Sequence, residues 1–302
     1  MKFKQLLSLA ALSLMAAATL TSCEDILGEW SRPTPAAVTP SSEPSESSEP
    51  STTTVVKYLK WNGTALAEAE IPMDETIKVT SSTEAVTWSA GTYLVDEDVS
   101  ITGKITLTGD VNLIIKDGCT LSVGNQIYNS SYKNLHIYGQ SSMNGELDVN
   151  HNYHAISGLG SLDIHSCKVT ATTSGNNCGG VYDVNSVNVY GGSLSAQSTY
   201  NGCGLQFFSD KSLNIYGGEV SAFGKNNNDN SYGICNGSIS GTAQVNIYGG
   251  KLHAECADKK ALGPNVTITK KDGFTGKIEY SSDNTNWSET ADASAKYVRA
   301  GY

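Results

Sequence analysis

Polar and apolar residues alternate with a period of two through most of the chain. In "SLNIYGGEVSAF", Leu213, Ile215, Val220 and Ala222 alternate with Asn214, Tyr216 and Ser221. This is strand periodicity, and no stretch carries the i, i+3, i+4 spacing of an amphipathic helix. Near-copies of these twelve residues are "SVNVYGGSLSAQ" from Ser186 and "QVNIYGGKLHAE" from Gln244. Aligned on the tyrosine, the copies place Tyr138, His165, Tyr190, Tyr216 and Tyr248 at intervals of 27, 25, 26 and 32 residues. A period in this range marks stacked supersecondary units. A third short apolar piece completes each unit, as in Ala155-Ile156, Gly180-Val181, Gly204-Leu205 and Gly233-Ile234.

Three short strands per unit predict an all-β chain, a single-stranded right-handed parallel β-helix of about seven three-strand coils over residues 91–281. Stacked strands leave open edges at both ends of such a body. Caps are therefore expected over residues 55–90 and 282–302. If Leu213 and Ile215 point inward, their neighbours point outward. The copies then form two outward columns. One is His136, Asp163, Asn188, Asn214 and Asn246; the other is Tyr138, His165, Tyr190, Tyr216 and Tyr248.

The strand pattern starts only after about 50 residues. Residues 1–22 read as a lipoprotein signal peptide, with Lys2 and Lys4 ahead of an apolar run. "Leu-Thr-Ser-Cys" ending at Cys23 resembles the bacterial lipobox, which implies lipidation of Cys23 and membrane attachment through that lipid. Glu24 and Asp25 resemble the surface-export signal of Bacteroidetes lipoproteins, implying an outer-membrane, cell-surface location. Residues 23–54, rich in Pro, Ser, Thr and Glu, bury too little apolar surface to fold and read as a tether.

Charge excludes one class of partner. Past the signal peptide, 18 basic and 30 acidic residues give −12, so nucleic acid is not expected as a ligand. Beyond Cys23 the six cysteines Cys119, Cys167, Cys178, Cys203, Cys235 and Cys256 lack paired zinc-site spacing and follow the repeats, which reads as buried thiols.

The segments "TWSAGTYLV", "ITLTGDVNLIIKDGCTLSV" and "LHIYGQS", with the ending "YSSDNTNW…KYVRAGY", resemble the right-handed β-helix, carbohydrate-binding domain of bacterial surface proteins, within the pectate-lyase-like β-helix group. The resemblance implies polysaccharide as ligand, in some members an acidic one with calcium.

Two readings of the outward columns stand. Tyrosine faces pack on the C–H side of a pyranose while amides pair with its hydroxyls, which would make the columns a sugar platform. Alternatively, tyrosines on neighbouring strands stabilise each other as a ladder. A second candidate is the rim where coils vary in length, holding Tyr153, Asn177, Tyr200, Asn201, Asp229 and Tyr232, although Asn and Gly are also ordinary turn residues. Asp148, Asp163 and Asp183 are calcium candidates if the coils bring them together.

Catalysis has little to stand on. Residues 91–281 contain no arginine, the base of β-helix pectate lyases, so Lys168, Lys211 or Lys251 would have to replace it. The Gly-His-Gly and Arg-x-Lys signatures of β-helix polygalacturonases are absent. The leading expectation is non-catalytic polysaccharide binding; the alternatives are a structural or adhesive surface protein and a calcium-dependent polysaccharide lyase.

Overall fold

In a computed structural model, the structure describes residues 54–225, 231–256 and 258–302. The residues read above as a signal peptide, Cys23, most of the expected tether and Asp229 lie outside the described residues. No helix among the described residues is long and apolar enough to cross a membrane.

Each coil runs through three strands and each strand joins a separate parallel wall, so the described residues build three walls of eight, nine and nine strands. The first runs from Val86–Trp88 to Lys260–Leu262, the second from Ile77–Lys78 to Val266–Lys270, and the third begins at Val99–Ile101. Seven full coils lie between Val86 and Glu255, the number the alternation predicts, but Ile77–Lys78 and Val86–Trp88, expected in the cap, are already wall strands, and the seventh coil ends before residue 281. Register is strict in the second wall, where Val187, Leu213 and Val245 are aligned, as are Asn188, Asn214 and Asn246; the first wall shifts register once, between Asn176 and Cys178. Leu213, Ile215, Val220 and Ala222 are fully buried. Each large aliphatic buried in such a column contributes about 1.5–3 kcal/mol.

The repeated Gly-Gly forms the corner between the second and third walls. Gly192, Gly218 and Gly250 have φ of +63°, +66° and +68°, and a Cβ on Gly218 would sit 2.5 Å from the Gly192 carbonyl oxygen. The corner requires a residue that adopts left-handed backbone and has no side chain.

The ends close differently from expectation. Residues 55–72 form an antiparallel hairpin, β1 (Val55–Trp61) and β2 (Leu66–Pro72), which lies on the flank of the second wall instead of covering an end. At the other end Tyr297–Ala300 pairs antiparallel with both Lys251–Glu255 and Ile278–Ser281. Ile278–Ser281 therefore belongs to the closing hairpin and not to a parallel coil.

Two cysteines depart from the thiol reading. Stacked first-wall strands bring the Cα atoms of Cys203 and Cys235 to 6.3 Å, and a disulfide joins them. Cys119, Cys167, Cys178 and Cys256 are free.

Candidate functional site

The second wall carries both columns in register, and each is a continuous ladder. Asn246 donates to Asn214, Asn214 to Asn188 (both 2.8 Å) and Asn188 to Asp163 (2.6 Å); His136 Nδ1 meets the other Asp163 oxygen at 2.7 Å. Burial alone would raise the Asp163 carboxyl, but bonds from His136, Asn188 and Ser161 outweigh it and hold it below the usual carboxylate range. The rings of Tyr138, His165, Tyr190, Tyr216 and Tyr248 stack at 4.4, 4.8, 5.0 and 4.5 Å, with interplanar angles of 12° to 19°. Neighbouring rings thus occupy the faces that a pyranose would need.

The hairpin covers part of this wall. The aromatic column continues upward as Ile114 and Leu94, and Val56 packs on these and on Tyr138. Trp61 stacks on Tyr190 at 5.3 Å and lies 5.8 Å from Tyr216. Its backbone N–H donates to His165 Nδ1 at 3.0 Å, and Leu59 N–H donates to the Gly139 carbonyl at 2.9 Å. Burial lowers His165 to about 4, so the ring stays neutral and keeps the lone pair that holds the hairpin.

The first wall is different. Its outward column, fixed by register, reads Thr106, Tyr128, Ser157, Tyr182, Gln206 and Cys235. Along it lies a groove of about 540 Å³ lined by Tyr128, Tyr132, Tyr153, His154, Tyr182 and Asp183, with Lys104 at one end. Tyr132 and Tyr153 are 47% and 54% exposed, among the most exposed large hydrophobic residues described. Beneath them His154 is buried, stacked on Tyr182, and accepts the Gly179 N–H on Nδ1 at 3.1 Å. Burial lowers it to about 4, so the neutral ring carries its proton on Nε2 as a donor. Tyr132 donates to Asp183 at 3.0 Å, and Lys211 pairs with Asp183 while lying over the Tyr132 ring. Lys104 lies over the Tyr128 ring at 5.2 Å. The result is a row of amphipathic rings, each fixed by a charge or a stacking partner.

The rim residues divide around this groove. Tyr153 lines it; Asn177 and Tyr232 line a second pocket further along; Tyr200 is exposed, and Asn201 is buried and donates to Asn176 at 2.9 Å. The calcium candidates do not converge: Asp148 is on the third wall, Asp163 on the second and Asp183 at the corner between first and second. Among the described residues no group of three or more His, Cys, Asp or Glu is placed to hold a metal ion.

Sequence reasoning did not single out Tyr128, Tyr132, Tyr182 or Lys104 for binding. Their signal lies just after the third apolar piece of each unit: Ile127 and Val181 are each followed by tyrosine, an outward position. The chain matches no protein-family model, no curated protein and no solved structure, so the β-solenoid fold is what the structure establishes and the family resemblance stays with the motifs that suggested it.

Proposed function

We propose that this protein is a non-catalytic polysaccharide-binding protein of the bacterial cell surface, held to the outer membrane by a lipid on Cys23. The observation that carries the binding is the first-wall groove, where Tyr132 and Tyr153 stay exposed beside a fixed neutral histidine donor. An exposed ring held rigidly offers its face to the C–H side of a pyranose at small entropic cost, while Nε2–H, amides and hydroxyls pair with sugar hydroxyls. The second-wall columns are the weaker platform, because their ring faces and amides are taken up by one another.

Affinity gel electrophoresis against soluble plant and bacterial polysaccharides, with and without calcium, tests this reading. The wild-type protein should be retarded in at least one gel, and Tyr128→Ala with Tyr153→Ala should migrate freely while its melting temperature stays within a few degrees. Unretarded migration of the wild type in every gel would refute it. The lipid has its own test: labelled palmitate should enter the wild type and not Cys23→Ser.

A second reading, a structural or adhesive surface protein, has one observation in its favour. The ladders of the second wall satisfy themselves and need no ligand.

A further inference from the structure

Beyond Tyr182 the outward column continues. In register the next outward residue is Gln206, followed by Cys235, and both line a second pocket of about 470 Å³ with Asn177, Asn236, Ile239 and Asn265. The two pockets thus lie one after the other along one column of one wall, Tyr182 lining the first and its register partner Gln206 the second. Their linings run from Lys104 on the second coil to Asn265, in the turn that follows the last first-wall strand, six coil spacings, or about 29 Å at the ~4.8 Å separation of strands.

Their chemistry differs. The first pocket carries Lys104, His154 and Asp183, whereas no described side chain lining the second is charged. The second pocket instead offers amides and the fully exposed apolar side chain of Ile239. Asn236 is engaged structurally, accepting from Ser209 at 3.2 Å and Ser238 at 3.0 Å and donating to the Gly241 carbonyl at 3.1 Å. Gln206 and Asn265 are the lining amides best placed for a ligand: Gln206 follows Tyr182 in the column, and Asn265 is exposed on a left-handed turn with φ of +56°.

We infer that the two pockets are consecutive subsites for one linear glycan lying parallel to the solenoid axis, with neutral hydroxyl-bearing rings over Gln206 and Asn265. This rests on the polysaccharide reading above and sharpens it. The ligand is the interior of an extended chain of about one ring per coil, and not a terminal sugar or a short branch. A polymer whose rise per ring is close to the ~4.8 Å strand spacing brings successive rings over successive coils.

The test uses cello-, xylo- and manno-oligosaccharides of three and six rings, titrated calorimetrically into the full chain and into Gln206→Ala with Asn265→Gly. Glycine suits the left-handed position, and unchanged binding of the three-ring ligand reports an intact fold. In at least one series, six rings should bind at least about tenfold more tightly than three, as two or three added hydrogen bonds would give. The double substitution should bring six-ring affinity down to the three-ring value. Equal affinity for both lengths, or a six-ring advantage that survives the substitutions, overturns the second subsite while leaving the first groove standing. Binding of neither length in any of these neutral series overturns the neutral-glycan subsite, and the wider polysaccharide reading falls with it only if the affinity gels also show no retardation.

Discussion

Asn214 shows what a ladder residue contributes. It donates to Asn188 and accepts from Asn246, so Asn214→Ala leaves an acceptor and a donor unpaired on a half-buried wall. A loss of about 1–3 kcal/mol follows, measurable by denaturant unfolding. Gly218→Ala should cost more than about 1 kcal/mol by the same assay, because its left-handed φ and the nearby Gly192 carbonyl both oppose a Cβ. Two histidines give an acid limb. Burial lowers His154 and His165 from 6.5 to about 4, so the unfolded chain takes up their protons first as pH falls. Their contribution is complete above about pH 6.5, declines from there, and is lost as pH falls to about 4. His165→Gln keeps an acceptor for Trp61 and removes one titration, so its stability should vary less over that window.

At the scale of elements, the coils were legible and the hairpin was not. Alternation in Leu213 to Ala222 fixes which side chains enter the core, because side chains of a strand point to opposite faces and a one-residue slip would expose them all. Packing between distant segments leaves no such period. The hairpin did leave a trace: Leu94-Val95 and Ile114-Ile115 break the alternation, and a buried outward residue requires a cover. Trp61→Ala removes two ring contacts, which should cost about 1–3 kcal/mol. Hydrogen exchange should then show β1 and β2 opening while the coils stay protected.

Across the whole molecule, regularity separates scaffold from candidate site. The second-wall columns repeat nearly the same residue for five coils, and their side chains pair with one another. The first-wall column changes residue at each coil, and beside its half-buried Tyr128 and Tyr182 the neighbouring Tyr132 and Tyr153 stay exposed next to charges and amides. The candidate site was harder to read in the sequence for that reason. Tyr128 and Tyr182 are outward by parity, but nothing in one coil shows that Tyr153, His154 and Lys104 gather around them. The direct test compares two double substitutions against a retained polysaccharide. Tyr190→Ala with Tyr216→Ala should lower the melting temperature and keep binding, whereas Tyr128→Ala with Tyr153→Ala should keep the melting temperature and abolish binding. The opposite pattern, with binding lost from the ladder variant and retained by the groove variant, would contradict the account and return the site to the tyrosine column.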